Sequence, residues 1–173
     1  MRSMRARVFV PALVAGLTLT GAAAAAGWAG SNPAATAKFT GAGVDGVKVG
    51  ASYTSLRLAG KLAKATRGCE LAGPQARAAR LRAPLKGSVN LTISRPRKVD
   101  TIAVTGGAKA KGVGVGSTRA KVKAAFPHAK FRHVLGLVLA RVPKADGGKF
   151  EFSLGTKGKR VVAVGIPHLA FCE

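Results

Sequence analysis

Two stretches of the chain alternate strictly between apolar and polar residues. Val89, Leu91 and Ile93 alternate with Asn90, Thr92 and Ser94, and Phe150, Phe152 and Leu154 alternate with Glu151, Ser153 and Gly155. A period of two marks a strand with one buried face. Each stretch is followed by a second apolar segment, VDTIAV at 99–104 and VVAVGI at 161–166, in which Ile102 and Val104 correspond to Val164 and Ile166. RPRK and TKGKR supply turn residues between them, so each pair predicts a β-hairpin. Further strands are predicted over 79–85 and 134–142, the latter from the alternation of Leu135, Leu137 and Leu139. Upstream of the strands the period changes to that of a helix. Val122, Ala125 and Phe126 follow a cap at Ser117 or Thr118 and precede Pro127, while Leu56, Ala59 and Leu62 or Ala63 lie within a predicted helix over 52–65 that ends before Gly68.

These elements occur twice. GVKVG at 46–50 returns as GVGVG at 112–116, and the same offset of sixty-six pairs Ser52 with Thr118, Leu56 with Val122 and Ala59 with Ala125. The predicted fold is therefore α+β: two tandem repeats, 46–111 and 112–173, each a short helix packed on an antiparallel β-meander. Gly27 to Asp45 is small, polar and without apolar period, which predicts a flexible tether carrying the single tryptophan, Trp28.

The order G-x-x-x-G-[ST], apolar-striped short helix, then antiparallel meander, in tandem, resembles the repeat of the secreted β-lactamase inhibitor proteins and of small bacterial envelope lipoproteins of that fold. The resemblance covers residues 46–173. It implies a protein-directed inhibitor, which here would use the polar sheet face bearing Asn90, Thr92, Glu151 and Ser153. The acylated cysteine of the lipoproteins has no counterpart. In its general character the chain also resembles the small, basic, uncharacterised exported proteins of actinobacteria, a likeness that implies no activity.

The N-terminus sets the expected compartment. Arg2, Arg5 and Arg7 precede an apolar run from Val8 to Leu19 and then five alanines, Ala22 to Ala26. This order describes a secretory signal peptide over residues 1–26 and a secreted or cell-envelope protein. Val8 to Ala26 is nearly long enough to span a bilayer as an uncleaved anchor. Pro11, Gly16, Gly21 and the alanine tail favour the processed leader, after which no membrane span is expected. The two cysteines, Cys69 and Cys172, lie beyond it, and in an oxidising compartment they read as one disulfide. A bridge closing about a hundred residues would remove about 4 to 5 kcal/mol of unfolded-state freedom in the chain-entropy model.

Charge is the other departure from the ordinary. Three of the 29 basic residues fall in the leader, leaving 26 against six acidic ones, a net +20 for the mature chain. Such an excess attracts polyanions, although a GC-rich coding sequence also yields Ala, Gly and Arg in abundance. Arg95, Arg97 and Lys98 in one hairpin answer Lys157, Lys159 and Arg160 in the other, and these six are the candidate anion-binding residues. Stacking aromatics and a recognition helix, which specific nucleic-acid binding would use, are missing. The expected partners are an anionic cell-wall polymer, lipid head groups or an acidic protein.

No motif survives as catalytic. Gly41, Gly43 and Gly46 fit G-x-G-x-x-G, but a strand should precede that fingerprint and a helix follow it, whereas a tether and a strand flank it here. GGK at 147–149 and GTKGK at 155–159 lack the Lys-[Ser/Thr] ending of a phosphate loop. His128, His133 and His168 have no acidic neighbour placed by a motif, and Glu70 and Glu151 read as ion-pair partners among many cations. The expectation is a non-enzymatic protein without cofactor or metal, a secreted hydrolase being the less favoured alternative.

Overall fold

The computed structural model describes residues 36–171. The expected signal peptide, Trp28 and residues 27–35 of the expected tether lie outside the described residues, as does Cys172.

Eight strands form one antiparallel sheet. In chain order they are β4 (Thr66–Arg67), β5 (Arg77–Arg80), β6 (Lys86–Leu91), β7 (Val99–Gly106), β10 (Lys130–Val134), β11 (Leu137–Ala145), β12 (Gly148–Ser153) and β13 (Ala163–Ile166). Their spatial order is β10-β11-β12-β13-β7-β6-β5-β4, so two meanders meet where β13 pairs with β7. The register Ile102↔Ile166 and Val104↔Val164 places these four side chains on one face. The remaining strands are short: β1 (Ala37–Lys38), β2 (Gly43–Val44), β3 (Val47–Lys48), β8 (Ala108–Ala110) and β9 (Val113–Gly114). β2 pairs with β3, and β8 stands between β1 and β9. The described residues are thus mostly sheet, α+β in class, with two α-helices, α1 (Tyr53–Leu58) and α2 (Arg119–Ala125).

Both helices begin as the sequence predicts. The Ser52 and Thr118 hydroxyls accept from the backbone N–H groups of Ser55 and Lys121, and Leu56 and Val122 are buried beneath them. α1 ends at Leu58 instead of continuing to 65, because Gly60 takes a left-handed turn (φ +69°) and Leu62 then pairs with Leu81. Each helix start is tied to the turn that enters a sheet strand. The N–H of Tyr53 donates to the carbonyl of Arg97, and that of Arg119 to the carbonyl of Lys159. Gly50 likewise donates to Val99, and Gly116 to Val161.

Two expectations are corrected. Residues 37–45 are not a tether: β1 runs parallel to β8, and Phe39 is buried with its ring 5.1 Å from that of Phe150. A single bulky aromatic outweighs the small, polar composition around it. Nor is 134–142 one strand. Leu135 and Gly136 both have positive φ (49° and 72°) and make the tight turn between β10 and β11, leaving Leu135 61% exposed.

The core lies on the helix side of the sheet. Phe39, Phe126, Phe150 and Phe152 form a cluster of four edge-on and one tilted ring contacts, with centroids 5.1–6.0 Å apart. Val89, Val99, Ile102, Val104, Val164 and Ile166 continue it across the sheet. On the opposite face the chain beyond Ile166 folds back. The backbone of His168 and Leu169 packs directly over Gly165, where any Cβ would overlap it, and the N–H of Leu169 reaches Glu151 Oε2 at 3.4 Å.

Candidate functional site: a lysine-lined groove

The six basic residues singled out by the sequence do not share a site. The 92–98 turn enters β7 and the 154–162 turn enters β13; since those strands pair antiparallel, the two turns stand at opposite ends of the sheet. Part of each cluster is engaged in holding its turn. Arg97 Nη1 donates to the carbonyls of Gln75 (3.2 Å) and Thr92 (3.3 Å), and Arg160 Nη1 donates to that of Gly116 (2.9 Å). Arg95, Lys98, Lys157 and Lys159 are exposed.

Lysines from four other segments converge instead. Three adjoining depressions flank the β11–β12 hairpin, and Lys144 lines all three. One, of about 690 Å³, has Lys48, Lys144 and Lys149 around a backbone floor that includes Gly41, Gly147 and Gly148. The second, of about 630 Å³, has Lys38, Lys111 and Lys144 around Phe39, Phe126 and Phe150. The third, of about 210 Å³, runs on past Pro127, His128 and Pro143. Asp146 supplies the one carboxylate. All five lysines are exposed, and Lys111 Nζ sits 5.6 Å from the Phe126 ring centroid, which holds an ammonium at the groove edge.

The groove depends on close backbone approach. Gly41 donates its N–H to the Asp146 carbonyl (2.8 Å), and a Cβ at Gly41 would overlap the backbone of Gly148. Only glycine lets the 37–45 segment, which carries Lys38, lie this near the hairpin that carries Lys144 and Lys149. In this way two of the three glycines of the apparent dinucleotide fingerprint acquire a role: Gly41 meets Gly148, and Gly43 pairs with Lys48. The lysines carry no local sequence signal, because they are brought together by the pairing of β1 with β8, of β2 with β3 and of β11 with β12, and by the approach of Gly41 to the hairpin.

No protein-family model matches the chain, and no curated protein or solved structure matches it significantly.

Other sequence candidates are dispersed. His128, His133 and His168 are exposed and lie on three separate segments. Among the described residues no group of three or more His, Cys, Asp or Glu side chains could hold a metal ion, and no helix is long and apolar enough to cross a membrane. Glu151 is an ion-pair partner, accepting from Arg132 Nη2 (2.9 Å) and Arg141 Nε (2.7 Å) while itself 1% exposed. Ser153 is also buried, so two of the four residues expected to form an open polar sheet face are covered. Asn90, a third, donates to the hydroxyl of Thr101 (3.1 Å). Cys69 is half-buried and lines a cavity of about 840 Å³ to which Ala170 and Phe171 also contribute; its expected partner, Cys172, lies outside the described residues.

Proposed function

We propose that the protein is an exported, non-enzymatic binding module for an anionic envelope polymer, and that the lysine groove around Lys144 is its contact surface. The observation that carries this reading is the convergence of Lys38, Lys48, Lys111, Lys144 and Lys149 on adjoining depressions with a single carboxylate among them. A polymer with repeated phosphates fits such a surface better than one small anion, because the cations are spread along three depressions. Each neutralised phosphate releases counterions, so engagement of about four charges would weaken binding roughly 50-fold between about 50 and 200 mM salt. The inhibitor-like alternative is the weaker one, since Glu151 and Ser153 are not available to a partner.

The same proposal includes a tandem duplication. It is supported by matched geometry at matched positions: Asp45 and Lys111 with φ of 44° and 46°, Gly46 and Gly112, Gly50 and Gly116, the caps Ser52 and Thr118, and bridges from these caps to Lys98 and Arg160. On this view each copy contributes one meander to the eight-stranded sheet.

The test is retention on a glycerol-phosphate polymer. Replacing the five groove lysines with glutamine should lower affinity at least about tenfold more than replacing Arg95, Arg97, Lys98, Lys157, Lys159 and Arg160. Equal losses would show that net charge alone matters, and a larger loss from the second set would return the site to the hairpin turns. Either result overturns the groove.

A further inference from the structure

Of the two outer strands of the sheet, β4 has only two residues, whereas β10 offers a full five-residue edge, Lys130–Val134. Its inner side is fully paired with β11 from Lys130↔Arg141 to Val134↔Leu137. On the outer side alternate residues present backbone N–H and C=O groups with no strand beyond them among the described residues.

The side chains around this edge are cationic on both faces. Lys130 and Arg132 project to the face that carries Arg141 and Glu151, by the registers Lys130↔Arg141 and Arg141↔Glu151. Phe131 and His133 project to the helix face, where the Arg119 guanidinium lies 4.7 Å from the Phe131 ring centroid. Glu151 is buried beneath the pair of arginines and holds both in place while taking one N–H from each. A guanidinium has five donors, so Arg132 and Arg141 retain donors for another carboxylate without further ordering. Their side chains are 46% and 37% exposed, open to a partner.

We propose that β10 is a docking edge for an extended acidic protein segment, which adds a ninth strand to the sheet. Acidic side chains at alternate positions would meet Lys130 and Arg132, and apolar ones between them would meet Phe131. A second copy of the chain is a poor occupant. Arg132 is the central residue of the five, so an antiparallel two-fold pairing centred on the strand sets Arg132 against Arg132, a repulsive cross-strand pair. The charges that guard the edge against self-association thus select for an acidic strand. This inference does not rest on the lysine groove.

The experiment uses the full chain and a fluorescein-labelled peptide of alternating valine and glutamate, with two variants N-methylated on the odd or the even residues. Strand addition requires backbone donors from one set only, so one methylated peptide should bind at least about tenfold more weakly than the other. Lys130→Gln with Arg132→Gln should weaken the parent peptide about tenfold, and β10 amides should gain hydrogen-exchange protection on binding. The proposal is overturned if both methylated peptides bind like the parent, if no peptide binds, or if protection appears around Lys144 and not along β10.

Discussion

Glu151 is the most deeply buried charge among the described residues, and replacing it with glutamine isolates what the charge contributes. The substitution keeps the shape of the side chain and one acceptor oxygen but removes the anion between Arg132 (2.9 Å) and Arg141 (2.7 Å). Breaking a fully buried ion pair costs about 3 to 5 kcal/mol. Here only the carboxylate is buried, at 2% side-chain exposure, while the guanidiniums are 46% and 37% exposed and regain water when released. Solvent screening therefore reduces the expectation to about 2 kcal/mol. For a domain of this size 1 kcal/mol moves the melting temperature by about 2 to 4 °C, so Glu151→Gln should lower it by about 4 to 8 °C. Urea unfolding at constant m would confirm that stability alone has changed. Double-mutant cycles add the partition: Arg141, nearer and less exposed, should couple to Glu151 more strongly than Arg132 does. A drop below about 1 °C, or zero coupling in both cycles, would refute the argument that the carboxylate organises this face.

Two further outcomes are expected. Gly165→Ala places a methyl group against the backbone of His168 and Leu169, so it should cost about 1 to 3 kcal/mol and raise hydrogen exchange over 167–171; unchanged exchange there would mean that the terminal segment does not cross the strand. Cys69 and Cys172 should form a disulfide, so thiol titration in denaturant of the protein produced in an oxidising compartment should give no free thiol without reductant and two with it; two thiols without reductant would reject the bridge.

Where local pattern and tertiary environment agree, the sequence is informative. Phe150, Phe152 and Leu154 alternate in sequence and are all buried, and Thr118 and Pro127 bracket α2. The failures have physical causes. Leu135, Leu137 and Leu139 continue an alternation across a tight turn, and period two carries no mark of the positive φ at Leu135 that reverses the chain. Ile93 continues the alternation of Val89 and Leu91, yet β6 ends at Leu91 and Ile93 is 56% exposed. Phe39 lies among small and polar residues whose average conceals one core side chain. The basic clusters beside RPRK and TKGKR were visible because they are contiguous. Lys38, Lys48, Lys111, Lys144 and Lys149 are far apart in sequence, and strand pairing together with the approach of Gly41 to the hairpin assembles them.

The proposed duplication itself explains why the repeated clusters are the weaker candidates for a single site. If the halves are copies, antiparallel pairing of β7 with β13 would relate them by a local two-fold axis, and that axis would send equivalent turns to opposite ends of the sheet. On that reading a cluster present in both copies is separated by the geometry that joins them. On the same reading a concentrated site has to come from positions at which the copies differ, and Lys48, Lys111 and Lys149 are such positions. With the sixty-six-residue offset Lys111 corresponds to Asp45, which is engaged by Lys61 at 2.9 Å, and Lys48 corresponds to Gly114. In the strands, where Phe150 answers Val89, Lys149 corresponds to Ser88. At these three positions the groove carries a positive charge that the corresponding position of the other half lacks. Replacing Lys48, Lys111 and Lys149 with glutamine should therefore weaken retention on the glycerol-phosphate polymer more than replacing Arg80, Arg82 and Lys86 of the opposite hairpin, and equal losses would count against the groove.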